Sequence, residues 1–176
     1  MTRKVKLIMA AMLPLMASAL SGCLKSDHED YEMWRAENDA YLKTINMNEF
    51  EKVSPDWAPL NSVYIKWHND RSLTAGNLVP MANSTVVAKY ELEDINGTKI
   101  ENSYARRDSA YTSQPLNNVI GMWIALTTMH VGDSATLIIP YDSGYGAQIR
   151  SGMKPYTNLI YHLKLKEIKA FERPAD

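Results

Sequence analysis

Residues Thr85–Leu92 (TVVAKYEL) alternate around β-branched side chains, and Asn96-Gly97 follows at the distance of a tight turn. A period of two sends successive side chains to opposite faces, and Asn-Gly readily takes the positive φ angles of a short hairpin. The middle of the chain is therefore committed to antiparallel strands. Ser62–His68 (SVYIKWH) alternates in the same way, the hairpin continues through Thr98–Tyr104, and Ser134–Ile139 and Asn158–Ile168 read as further strands. In contrast, Pro115–Met129 carries Leu116, Val119, Ile120, Trp123, Ile124 and Leu126 at helix-compatible spacings, the one convincing helix of the second half. The sheet and the lone helix each need an apolar partner, so the economical fold is α+β: an antiparallel sheet with one helix packed on a face.

The composition agrees with a packed body. The chain has 176 residues, 45% hydrophobic and 22% charged, with a formal net charge of −1, which excludes a disordered or low-complexity chain and gives no sign of nucleic-acid binding. A single Cys excludes an internal disulfide, CxxC redox chemistry and cysteine metal sites, and the length is sufficient to fold without such staples.

That Cys sits at an informative place. Arg3, Lys4 and Lys6 precede an apolar run from Leu7 to about Leu20, as in a secretory signal, and Leu20-Ser21-Gly22-Cys23 resembles a bacterial lipobox, in which the Cys becomes the lipidated first residue. Residues 1–22 are thus expected to be removed and Cys23 to anchor the chain to a membrane. Leu24 lacks the Asp that resembles an inner-membrane retention signal, which points to the outer membrane, facing periplasm or cell surface. The acidic cluster Asp27, Glu29 and Asp30 resembles an export tag of surface lipoproteins and fits a solvated helix start equally well. Asp27 to about Thr44 is expected to be helical, with Tyr31, Trp34, Asn38, Tyr41 and Ile45 near one stripe, and Asn46–Leu60, with Pro55 and Pro59, reads as a linker. Residues 23–60 are read first as a lipid-held tether. Docking of the stripe on the domain and a homodimer through the helix are the two rivals.

The order and wording of the later segments matter together. VAKYELEDINGTKIENSY, then QPLNNVIGMWIALTTMHVGDSATLIIPYDSGYG, then NLIYHLKLKEI, with a Leu-x-x-Val-Ile-x-x-Trp helix start, a Met-x-Val-Gly turn and Ile-Pro followed by Gly-Tyr-Gly, resemble the FKBP family of peptidyl-prolyl cis-trans isomerases over roughly residues 60–168. The resemblance implies a curved antiparallel sheet wrapped across one short helix in a domain of residues 61–170, with the N-terminal helical extension before it and a tail at 171–176. It also implies a pocket built from Tyr90, Ile100, Glu101, Tyr111, Val119, Ile120, Trp123, Tyr145 and Tyr161. In that pattern Trp123 floors the pocket, the backbone of Val119 and Ile120 at the helix start binds substrate, and the Tyr145 hydroxyl bonds a substrate carbonyl. Tyr90 and Tyr161 are walls, and Met153 stands where an aliphatic residue covers the pocket. Departures are Ile100-Glu101 where the family carries Phe-Asp, a lengthened Arg106–Thr112 segment in which Tyr111 and Thr112 compete for the aromatic position, and a flap at AQIRSGMKPYTN one residue short. The first of these points to weaker isomerase activity.

The residue types suit the chemistry that the resemblance implies. Amide resonance gives the X-Pro bond a barrier of about 18–20 kcal/mol, and twisting that bond abolishes the charge separation of the planar form. An apolar, water-poor groove therefore favours the twisted state without a nucleophile or cofactor. Tyr90, Glu101, Trp123 and Tyr145 are the expected catalytic set, with Ile100, Tyr111, Val119, Ile120, Met153 and Tyr161 binding substrate. The same apolar residues would equally serve an ordinary core. Glu101 has two readings, as an orienting partner of Tyr90 or as a solvated strand-end carboxylate. The expected partners are proline-containing exported polypeptides. The rival function is a non-catalytic FKBP-like module that holds unfolded chains or another protein. His28, His68, His130 and His162 show no metal-ligand spacing. Asp108-Ser109-Ala110 and Asp133-Ser134-Ala135 resemble a short O-glycosylation motif and default to loop chemistry.

Overall fold

The computed structural model describes residues 21–105 and 109–170. Residues 1–20 of the expected signal peptide (1–22) and the tail at 171–176 lie outside them. An N-terminal helix, α1 (Ser21–Lys43), precedes the strands β1 (Glu51–Val53), β2 (Val63–Trp67), β3 (Thr85–Glu93), β4 (Lys99–Asn102) and β5 (Tyr111–Ser113). The helix α2 (Ile120–Thr128) and the strands β6 (Ser134–Ile139) and β7 (Leu159–Ala170) complete the chain. The pairing is antiparallel throughout, in the order β1-β2-β6-β7-β3-β4, with β5 sharing the outer edge of β3.

The alternation read in the sequence is what buries one face of this sheet. Val86, Ala88, Tyr90 and Leu92 of β3 join Val63 and Ile65 of β2, Leu137 and Ile139 of β6 and Tyr161, Leu163 and Leu165 of β7 in one core. α2 closes it with Met122, Ile124, Ala125 and Leu126, joined by Met129 just past its end. The β3–β4 turn is built at Asp94, whose carboxylate accepts from the backbone N–H groups of Asn96 and Thr98 (2.8 and 2.9 Å), with Gly97 at φ 77°. Such a φ carries almost no penalty for glycine. Gly121 is required for a different reason. A Cβ built there would collide with Cγ2 of Ile139, so only glycine lets α2 press this closely on β6.

Four expectations change. The helix expected over Pro115–Met129 begins only at Ile120, because Asn118 and Val119 are extended (ψ 173° and 149°) after a single 3-10 turn at Pro115–Asn117. The linker expected over Asn46–Leu60 contains β1, whose three residues extend the sheet beyond β2. Asp133, read within a loop motif, is fully buried: its carboxylate accepts from Thr74 Oγ1 (2.5 Å), Asn69 Nδ2 (3.0 Å) and the His130 N–H (2.8 Å), and Arg71 Nε lies 3.4 Å away. Burial alone would raise the pKa of this carboxyl, but the three hydrogen bonds and the Arg71 charge outweigh it and hold the group below its ordinary value.

The largest change concerns α1, which docks on the domain rather than standing off as a free tether. Asn38, wholly buried, accepts the Asn158 N–H at its Oδ1 (2.8 Å), and Asn158 Nδ2 donates to the Asn38 carbonyl (2.8 Å). Trp34 Nε1 donates to Thr157 Oγ1 (3.0 Å), and the Tyr141 hydroxyl donates to Asp39 (2.9 Å). The stripe is thus covered at Trp34 and Asn38 by the chain's own domain. Among the described residues no helix is long and apolar enough to cross a membrane.

Docking carries a measurable consequence. Removing one partner from a buried hydrogen-bond pair leaves the other unsatisfied at about 1–3 kcal/mol, and the Asn38 side chain makes two such bonds, accepting the Asn158 N–H at Oδ1 and donating from Nδ2 to the Trp34 carbonyl (2.8 Å). Asn38→Ala is therefore expected to destabilise the protein by about 3 kcal/mol and lower Tm by roughly 6–12 °C, read by thermal denaturation. A chain starting at Ser54 should melt several degrees lower, and an unchanged Tm would return α1 to the role of free tether.

Candidate functional site

One cavity of about 150 Å³ opens between the concave face of the sheet and α2. Its apolar base follows from two periodicities. Val86, Ala88 and Tyr90 are alternate residues of β3 and face one side, while Met122 and Leu126 are one turn apart on α2 and share one face. Leu163 and Tyr161 of β7 complete the base, Glu101 of β4 and Tyr111 of β5 form one side, and Tyr145 stands in the loop after β6.

Three tyrosines form the walls. Tyr90 lies 5.4 Å from Tyr111 and 5.5 Å from Tyr161 between ring centroids, both edge-to-face, the arrangement favoured by ring quadrupoles. The Tyr90 hydroxyl donates to Glu101 Oε1 at 2.6 Å, and Glu101 is exposed on β4, so it is both an orienting partner of Tyr90 and a solvated carboxylate. The Tyr111 hydroxyl donates to Asn118 Oδ1 (2.9 Å), and Asn118 Nδ2 is held by the Gln114 carbonyl (2.7 Å). Asn118 thereby ties the loop before α2 to the cavity wall. Burial pushes the Tyr161 hydroxyl well above the ordinary tyrosine pKa, and Tyr145, Tyr90, Glu101 and Tyr111 push it the same way. It stays a protonated donor at any physiological pH. The Tyr145 ring carries the Arg150 guanidinium 4.1 Å from its centroid.

The structure therefore brings Tyr90, Glu101, Tyr111, Tyr145 and Tyr161 around one cavity, with Tyr111 rather than Thr112 as the inward aromatic. Five other expected residues stand elsewhere. Trp123 is on another face of α2, stacked on Trp57 (centroids 4.5 Å apart) beside Pro80 and Met81. The cause is the late start of α2 and its tight approach to β6. With Gly121, Ile124 and Ala125 against the sheet, Met122 and Leu126 point into the cavity and the next residue on, Trp123, points away. Val119 and Ile120 pack against the core between two lining residues, Asn118 and Met122. Ile100 and Met153 line a second groove beneath α1, because Ile100 alternates with Glu101 on β4 and the flap bearing Met153 lies against Trp34.

Val86, Ala88, Asn118, Met122, Leu126 and Leu163 are the lining residues that sequence reasoning missed. A signal existed for two of them: Met122, Leu126 and Met129 repeat at i, i+4 and i+7, the stripe of one helix face. Cys23 lies in the first turn of α1. Three of the histidines have structural partners: His130 meets Arg71 and Asp133, and His68 and His162 share the Thr136 hydroxyl.

Known proteins resemble this arrangement. A family model for the FKBP-type peptidyl-prolyl cis-trans isomerase matches residues 76–166. The FKBP-type 22 kDa peptidyl-prolyl cis-trans isomerase of Escherichia coli K12 is 35% identical over 92 residues, covering 51% of this chain and 44% of that protein. The FKBP-type peptidyl-prolyl cis-trans isomerase FkpA of Buchnera aphidicola is 25% identical over 166 residues, covering 86% of this chain and 66% of that protein. This chain thus spans less than two thirds of the length of either. The crystal structure of FkpA from Escherichia coli superposes with a TM-score of 0.69 at 19% identity, covering 87% of this chain and 67% of that one, and supports the fold alone.

The buried Tyr161 hydroxyl makes a pH prediction. Its pKa is raised in the folded state, so the native chain holds this proton more tightly than the unfolded chain does. The resulting stability is fully present below the unfolded tyrosine value of about 10 and is lost as pH rises above it. Tm measured from pH 8 to 11.5 should stay level and then fall, and Tyr161→Phe should flatten that fall; identical alkaline profiles would show that Tyr161 is not the group responsible.

Proposed function

The chain belongs to the FKBP-type peptidyl-prolyl cis-trans isomerases, and from that premise we propose that it catalyses rotation about X-Pro bonds of exported polypeptides in the bacterial cell envelope. The observation that carries this reading is the cavity's size and lining. A space of about 150 Å³ is known to hold one benzene-sized ring, and a proline ring is slightly smaller. Val86, Ala88, Met122, Leu126 and Leu163 surround that ring with hydrocarbon, and Tyr90, Tyr111 and Tyr161 supply aromatic walls.

The chemistry follows from the lining. The planar amide is the more polar form, with negative charge on oxygen, and the twisted amide loses that separation. Moving the bond from water into this cavity therefore disfavours the planar ground state relative to the transition state. No bond to the protein forms. Glu101 fixes the Tyr90 hydroxyl and Asn118 fixes the Tyr111 hydroxyl, so the aromatic walls stay in place while the amide turns. At the rim, the Tyr145 hydroxyl has no hydrogen-bond partner among the described residues and is available to a substrate carbonyl.

A second reading, holding of unfolded chains without catalysis, is favoured by the Trp57–Trp123 pair, since Trp57 is 51% exposed beside Pro80 and Met81. The envelope address rests on the basic start, the apolar run and Leu20-Ser21-Gly22-Cys23, and lipidation at Cys23 would attach the domain to the membrane through α1.

Kinetics separate these readings. On a proline tetrapeptide, Met122→Ala is expected to lower kcat/KM about tenfold, a loss of about 1.4 kcal/mol in transition-state stabilisation. Tyr145→Phe should weaken peptide binding about three- to tenfold, the worth of one neutral hydrogen bond. Trp123→Ala should leave kcat/KM within about twofold while reducing suppression of client aggregation. Equal and negligible rates for wild type and Met122→Ala would refute the isomerase reading. Fatty-acid labelling that is lost in Cys23→Ser would support the lipid anchor.

A further inference from the structure

The second groove, about 510 Å³, runs beside the ring-sized cavity and has over three times its volume. Tyr31 and Trp34 of α1 form one wall, Ile100 of β4 lies on the domain side, and Ile149, Met153 and Lys154 come from the flap between β6 and β7. Two covalent connections join groove and cavity. On β4, Glu101 faces the cavity and its neighbour Ile100 faces the groove; on the flap, Arg150 covers the Tyr145 ring at the cavity and itself lines the groove. A chain whose proline ring fills the cavity has its flanking residues next to this groove.

The groove's chemistry selects what those residues are. Its apolar side chains include Ile149, which is 72% exposed among the described residues. Two cations and one carboxylate line it, and the carboxylate, Asp94, is already engaged by the Asn96 and Thr98 N–H groups. Arg150 lies on the Tyr145 ring and Lys154 on the Trp34 ring (5.0 Å to the centroid), and neither has an ion-pair partner among the described residues. We infer that this groove is an extended substrate site for peptide flanking the proline, built in part by α1, and that it selects an apolar side chain together with an acidic one. The inference rests on the isomerase reading and adds to it. Contacts remote from the reacting bond can supply binding energy that a single ring in a small cavity lacks. It also gives α1 a role in recognition, beyond holding the domain.

The test uses the full chain and two measurements on the same peptides: cis-to-trans rates, and affinity by isothermal titration. The peptides are a proline tetrapeptide and versions lengthened by three residues on either side of the X-Pro pair, carrying Leu with Glu or Leu with Lys. Wild type should bind a Leu/Glu extension at least fivefold more tightly than the tetrapeptide and prefer Glu to Lys. Lys154→Glu should reverse the Glu preference, and Ile149→Ser should reduce the gain from extension; both positions are exposed, so folding is preserved. Equal affinity for short and extended peptides, or a preference that both variants leave intact, overturns the groove, as does peptide binding that weakens with rising protein concentration, which would give the groove to a second copy. Intact discrimination in binding without any isomerisation overturns the isomerase reading alone and leaves the groove as a peptide-binding site.

Discussion

The close approach of α2 to β6 at Gly121 sets the rest of the site. No side chain larger than hydrogen fits between that backbone and Ile139, and the contact fixes both the height of the helix over the sheet and its rotation about its own axis. The height leaves a gap the size of one ring. The rotation decides which residues look into it: Met122 and Leu126 do, and Trp123 turns to meet Trp57. Protein interiors pack nearly as densely as crystals, so a rotation of a few tens of degrees could not be absorbed by neighbouring side chains. Cavity floor and outer aromatic surface are therefore two results of one contact.

Around this fixed floor the walls are held by polar groups rather than by packing alone. Tyr90 is tied to Glu101, Tyr111 to Asn118, and Asn118 to the carbonyl of Gln114. Glu101 and Asn118 themselves line the cavity, so these bonds place engaged polar groups at its wall beside the hydrocarbon and ring faces. Polar atoms that already have a partner compete less for a bound amide than free ones would, so the hydrogen bonds among the walls matter as much as the hydrocarbon between them.

Much of this was legible in the sequence, for identifiable reasons. β2, β3, β6 and β7 are long enough, and buried enough on one face, for alternation to show. β1 was not legible: Glu51-Lys52-Val53 is three residues with two charges at the sheet's edge, where nothing enforces a pattern. β5 is equally short and follows the lengthened segment. The tyrosines around the cavity came from the order of motifs, because their strands keep their register. Trp123 is not legible as an outer residue because counting from Val119-Ile120 assumes a helix phase, whereas the phase is set from the other side, by Gly121, Ile124 and Ala125 against the sheet, which turns Met122 and Leu126 into the cavity. The docking of α1 was one of three open readings, since a stripe in a sequence does not name its partner.

The bond between Asn38 and Asn158 joins positions 120 residues apart. A chain made from its N-terminus has α1 complete long before the start of β7 exists, so the helix must wait, with Trp34 and Asn38 facing water, until nearly the last strand arrives. Contacts this distant in sequence require a large loop to close before they return any stabilisation. The first described element is thus among the last to find its place, and its seating marks a finished domain: only a chain that has reached Asn158, at the entry to β7, offers the backbone that α1 needs. Any groove walled by α1 exists only from that moment, so the molecule acquires its full recognition surface at the end of its own folding.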